Sequence, residues 1–182
     1  MEEMEFYQYV NELWCISGGR NEQVTENSEV VKRMISLIRE QYPEAYKTLS
    51  EIYKKHSLNA PYYQLLIVSR FCRCNFGLLD SSSPDVDARG AFHMEKVSCP
   101  LRGECQFEGA ICCPKFNSNL SSAELRVMRL VYNGMSNDEI AGELFISPHT
   151  VKNHIKSAYL KLRIHEKAEF IRYANDNNLF KD

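Results

Sequence analysis

Between Leu120 and Leu162 the chain carries three helix starts written in hydrogen-bonding chemistry, and no other stretch restricts the fold as much. Ser121 with Glu124, and Ser136 with Glu139, have the Ser-x-x-Glu spacing of a capping box, in which the serine oxygen accepts from the N3 amide and the glutamate reaches back to the N-cap amide. Ser147 followed by Pro148 is an N-cap before an N1 proline. Each cap contributes about 1 kcal/mol of helix stability. Gly134 suits a left-handed stop after the first helix, and Glu139 to Phe145 leaves room only for a short second helix before a turn at Ile146. The order predicted is helix, short helix, tight turn, longer helix.

At about 100° per residue, Val151, Ile155, Ala158 and Leu162 fall on one side of the third helix, and His149, Lys152, Asn153, Lys156 and Arg163 on the other. One face packs and the opposite face is free. Lysine donates to guanine O6 and N7, asparagine bonds adenine through two contacts, and either holds a phosphate, so the outer face suits a DNA major groove. Amphipathicity alone describes a solvated basic face on an ordinary helical hairpin equally well.

The residue pattern separates the two. LSSAELRVMRLVYNGMSNDEIAGELFISPHTVKNHIKSAYLKL resembles the LuxR-type helix-turn-helix family nearly end to end, through Leu120, Glu124, Gly134, Ser136, Asn137, Glu139, Ile140, Ala141, Leu144, Ser147, Thr150, Val151, Lys152, His154, Lys161 and Leu162. The resemblance implies that the third helix enters the major groove, with Lys152, Asn153 and Lys156 where bases are contacted and His149 and Thr150 at phosphates. It also implies a fourth helix, here Glu166 to Asn175, that packs on the domain and often dimerises it. Phe170, Tyr173 and Ala174 share a face of that helix, open to either core or dimer seam. One position departs: where the family usually has glycine after the Lys-Leu pair, this chain has Arg163. Arg163 either accepts a left-handed conformation at about 1 kcal/mol or lets the helix run on, placing another cation near the DNA. The resemblance covers about the last third of the chain.

Charge is consistent with that reading without demanding it. The 182 residues carry a net charge of -2 with 44% hydrophobic content, which describes an ordinary soluble protein of one or two domains. From Ser118 onward nine Lys and Arg face eight Asp and Glu, so the cations that matter are concentrated on one helix rather than spread as a basic field. Nonspecific DNA affinity is then modest and salt-sensitive, and a homodimer doubles the phosphate contacts. The N-terminus begins acidic and has no apolar core of a signal peptide, and Leu65 to Val68, the longest apolar run considered, is too short to span a membrane. A cytoplasmic, bacterial regulator is expected, with contact to RNA polymerase as a further partner.

In a reducing compartment seven cysteines are not a disulfide framework. Cys72, Cys74, Cys99, Cys105, Cys112 and Cys113 cluster, among turn residues such as Pro100, Gly103, Gly109 and Pro114, whereas Cys15 stands beside Trp14. Four thiolates at about 2.3 Å complete a tetrahedral zinc site, and such a site contributes on the order of 10 kcal/mol to folding. The ligand set expected is one of Cys72 or Cys74, then Cys99, Cys105 and one of Cys112 or Cys113. An iron-sulfur cluster is the alternative cofactor. His93 is left outside the set, and Cys112 beside Cys113 admits a redox pair.

Upstream, Val31, Met34, Ile35 and Ile38 have helical spacing, Tyr46, Leu49 and Tyr53 continue it, and Pro43 and Pro61 fit first turns, giving about four helices from Glu5 to Arg73. Asp80, Asp85 and Asp87 lie in a Ser- and Pro-containing stretch and are expected to be solvated. No phosphate loop, HExxH or nucleophile elbow is present, so no enzyme is expected. The organisation predicted is mainly α: a helical region over 1–73, a cysteine-rich, metal-binding module over 74–117, and a four-helix DNA-binding domain over 118–182. The function predicted is a sequence-specific regulator of transcription that binds double-stranded DNA. Its alternatives are a metal- or redox-responsive switch built on the cysteine module and a protein-protein adaptor.

Overall fold

A computed structural model describes residues 2–79, 83–177 and 179–180. They form two compact units, Met1–Phe116 and Asn117–Asp182. About half the chain is helical, with seven α-helices and one small sheet among the described residues.

The first unit opens with strands rather than the predicted helix. β1 (Met4–Tyr9), β2 (Glu12–Ser17) and β3 (Arg20–Gln23) make an antiparallel sheet in the order β1-β2-β3. Met4 and Phe6 on β1, and Leu13 and Cys15 on β2, are buried at alternate positions, which is the two-residue period of a half-buried strand. Both hairpins close through two-residue turns at positive φ, Val10-Asn11 and Gly18-Gly19, whose twist matches that of the flanking strands. On the other face Trp14 lies opposite Tyr7 and stacks on it at 6.4 Å. Three aromatic residues on that face hid the alternation, so the expectation of a helix starting at Glu5 is corrected to a sheet over Met4–Gln23.

The helices follow where the periodicity placed them. α1 (Glu29–Gln41) buries Val31, Met34, Ile35 and Ile38, and α2 (Pro43–Ile52) starts on Pro43 and buries Leu49. After a short 3-10 turn at Lys54–His56, α3 (Ala60–Asn75) carries Ile67, Val68, Phe71 and Cys72 into the same core. The helix continues through Arg73, so Cys72 and Cys74 both lie on its last turns.

The described residues of 76–116 hold no helix or named strand and are tied down by a few contacts. Val86 exchanges two backbone hydrogen bonds with Met4, at 2.9 and 3.0 Å, covering part of the free edge of β1. Phe76 and Phe92 join Phe6, Phe71 and Tyr42 in an aromatic core with centroids 5.3 to 6.4 Å apart. Asp85 is not solvated as predicted. It is buried, and its carboxylate accepts from the Phe6 amide at 2.7 Å, which satisfies a donor at the sheet edge. Asp87 binds Arg89 at 3.0 Å, and Asp80 lies outside the described residues.

The second unit contains α4 (Ser122–Tyr132), α5 (Asn137–Leu144), α6 (Pro148–Leu162) and α7 (Lys167–Asp176) around Val127, Met128, Val131, Ile140, Val151, Ala158 and Phe170. No helix among the described residues is long and apolar enough to cross a membrane.

Candidate nucleic-acid interface

Each of the three N-caps read from the sequence is made. Ser121 and Ser136 form reciprocal capping boxes with Glu124 and Glu139, and the Ser147 hydroxyl accepts from the Thr150 amide at 3.0 Å. Gly134 sits at φ +91°, a conformation that ends α4 in a tight turn before Ser136. α5 ends at Leu144 and is capped by Phe145 at φ 53°, three residues before α6 begins. These devices set the angle at which α6 leaves the turn.

Glu124 then fixes α6 to α4. It is buried, yet accepts from the Ser121 amide at 2.7 Å, the Ser157 hydroxyl at 2.7 Å and the Lys161 ammonium at 2.6 Å. Burial works to raise its pKa, but Lys161, Ser157 and Ser121 outweigh it and hold the carboxyl down to about 2. Lys161 is therefore committed to Glu124. Sequence reasoning treated Glu124 only as a cap; the i, i+4 spacing of Ser157 and Lys161 on α6 was the signal for its second role.

The remaining cations of α6 are differently placed. Val151 and Ala158 are fully buried, while His149, Lys152, Asn153, Lys156 and Arg163 are exposed. Lys152 and Lys156, one turn apart, have no ion-pair partner among the described residues. Thr150 is half-buried and its hydroxyl pairs with that of Ser147 at 2.8 Å, so it completes the cap. Arg163 takes the left-handed option, φ 56° and ψ 42°, and ends α6 at Leu162. A shallow depression beside Lys152 and Lys156 is walled by Ile155 and Tyr159 and closed by Asn137 and His165, which come from the start of α5 and the turn after α6. Nothing local in the sequence marks those last two as neighbours of the lysines.

On α7, Phe170 and Ala174 are buried in the core of this unit, and burial pushes the Tyr173 hydroxyl up to about 12. That face is core within the unit rather than a free seam. Lys167, Ala168, Arg172 and Asn175 are the exposed positions of α7.

The cysteines divide. Cys15 and Cys72 are buried in the core; burial, then neighbouring acids, pushes Cys15 up to about 12, and burial, with Asp85, pushes Cys72 well above the usual thiol range. Cys74, Cys105 and Cys112 are half-buried, and Cys99 and Cys113 are exposed. Among the described residues, no three His, Cys, Asp or Glu side chains are drawn together at metal-ligand distance. His93 lies 3.8 Å from Asp87.

The profile of the family described as "Bacterial regulatory proteins, luxR family" matches residues 118–174. Over 57 residues the chain is 42% identical to "HTH-type transcriptional regulator MalT" of Serratia proteamaculans (strain 568). It is 40% identical over 57 residues to the protein of that name from Cronobacter sakazakii (strain ATCC BAA-894). Each match covers 31% of this chain and 6% of the relative, so the chain spans a small fraction of the curated relatives' length. No solved structure matches.

Proposed function

Since residues 118–174 are a LuxR-family helix-turn-helix domain, we propose that the chain is a sequence-specific DNA-binding regulator of transcription that reads the major groove with α6. Lys152, Asn153 and Lys156 contact base edges, and His149, Thr150 and Arg163 hold phosphates. The observation that carries this is the division of α6 into a face sealed by Val151 and Ala158 and a face whose two lysines have no acidic partner among the described residues. A cation already paired in the protein has to break that pair to bind phosphate; these do not. The domain is close to neutral, so two copies bound to half-sites about 34 Å apart supply the affinity one copy lacks. Contact with RNA polymerase belongs to the same reading.

Selection from random duplex DNA with the purified full chain tests it. Enrichment of a motif with two half-sites one helical turn apart is expected. Failure to enrich any sequence refutes it and favours a protein-protein adaptor. A second reading, in which the cysteine segment controls DNA binding, draws on the exposed thiols of Cys99 and Cys113. DNA affinity unchanged by oxidation and by chelation rejects that control.

A further inference from the structure

The outer face of the N-terminal sheet carries a group of rings that the core does not use. Side chains alternate along a strand, so with Met4, Phe6, Leu13 and Cys15 buried, Tyr7 and Tyr9 of β1 and Glu12 and Trp14 of β2 stand on the opposite face. The register brings them together: Tyr7 is the cross-strand partner of Trp14, and Tyr9 that of Glu12. Tyr9 is 62% exposed, and Val10, held at φ 49° in the turn that follows, is 74% exposed. Single apolar side chains in water are ordinary, but these two adjoin two further rings.

The rings form a corner. Those of Tyr7 and Trp14 are near-parallel, 22° apart with centroids at 6.4 Å, while Tyr9 stands at 82° to the indole with centroids at 6.5 Å. The Tyr7 hydroxyl donates to Asn21 Oδ1 at 2.9 Å, which fixes that ring from β3. The Trp14 indole N–H is covered and has no acceptor among the described residues, so what the ring offers a ligand is its π face. Such faces carry the negative end of the ring quadrupole and attract a positive charge wrapped in carbon.

Charge selects the occupant. Over residues 1–24 five glutamates, Glu2, Glu3, Glu5, Glu12 and Glu22, face a single cation, Arg20. Glu12 is exposed and lies on the face of the rings, two residues from Trp14 or about 7 Å along the strand. It has no ion-pair partner among the described residues. A phosphate is repelled here, and a neutral sugar stacks on rings but gains nothing from a carboxylate; an organic cation gains from both.

We propose that Tyr7, Tyr9, Trp14 and Glu12 bind an organic cation of the quaternary-ammonium class, its methyl groups against the rings and Glu12 supplying the countercharge. The site gives the N-terminal unit a ligand of its own. It lies in the unit that does not carry α6, so it stands or falls separately from the DNA-binding reading.

Titration of the full chain with choline, and with its neutral tert-butyl analogue, at an ionic strength held constant with sodium chloride, tests the site without DNA. Trp14 is the single tryptophan, so its emission reports binding directly, and calorimetry supplies a second readout. A saturable response to choline is expected, with the neutral analogue bound about tenfold more weakly. Tyr9→Ala and Glu12→Gln each weaken choline binding by about two- to fivefold, and Tyr9→Phe preserves it. Both positions are exposed, and far-UV circular dichroism verifies that the variants are folded. No saturable response to choline, equal affinity for the neutral analogue, unchanged binding in folded Tyr9→Ala, or tighter binding of glucose than of choline overturns the proposal.

Discussion

Replacing Glu124 by Gln removes the charge that joins α4 to α6 while preserving shape. The carboxylate receives three donors, from Ser121, Ser157 and Lys161. A hydrogen bond to a charged group is worth about 1.5 to 3 kcal/mol. The Lys161 side chain is 41% exposed, so screening holds its share to about 1 kcal/mol or less. Glutamine keeps one acceptor oxygen but turns an amide NH2 toward another donor, and the expected net loss is about 2 to 3 kcal/mol. At about 4 to 8 °C per kcal/mol for a domain of this size, melting of the C-terminal unit falls by about 10 to 20 °C. The loss also depends on pH. The folded pKa, about 2, lies below the ordinary 4.5, so the carboxylate's stabilisation is complete above about pH 5 and disappears as pH falls toward 2. Far-UV circular dichroism of the full chain follows both units, while Trp14, the single tryptophan, reports the N-terminal unit. The variant lowers the circular-dichroism transition at pH 7 and leaves the Trp14 transition in place, and the two proteins converge near pH 2 to 3. A shift under about 2 °C at pH 7, or a difference that is constant down to pH 3, refutes the reasoning.

Arg163→Gly relieves the left-handed residue at the end of α6 and stabilises the C-terminal unit by about 1 kcal/mol, read as a rise in its melting temperature; the same variant lowers the salt slope of DNA binding by about one phosphate contact. Asn75→Ala removes three side-chain hydrogen bonds in the interior of the N-terminal unit and lowers its stability by about 2 to 4 kcal/mol, measured from urea midpoints followed by Trp14. Phe170→Ala destabilises the C-terminal unit by about 3 to 5 kcal/mol because the ring is fully buried there; an effect below 1 kcal/mol, with a change only in dimerisation, would restore it to a subunit seam.

What could be read from the sequence was what depends on neighbours a turn or less apart. Caps at Ser121, Ser136 and Ser147 and the two faces of α6 are local chemistry, and they appear at the residues where they were expected. The sheet was missed because Tyr7, Tyr9 and Trp14 fill the outward positions and blur the alternation; Gly18-Gly19 directly after a short apolar run was the usable sign. Asp85 was misjudged because its partner, the Phe6 amide, is 79 residues away in the chain. The choice between Cys72 and Cys74 was open in the sequence, since two residues apart on a helix means about 200° of rotation, and only the continuation of α3 to Asn75 shows which one faces the core. Whether Phe170 belongs to core or seam was likewise a question of packing against other helices.

Binding of the selected DNA site by the Lys152→Ala, Lys156→Ala double variant at moderate salt tests the central claim most directly. The account predicts a loss of affinity and of discrimination between the selected site and a scrambled one, each good contact being worth about 1 to 3 kcal/mol, with the Glu124-dependent melting transition unchanged. Affinity and specificity equal to those of the unaltered chain would contradict it.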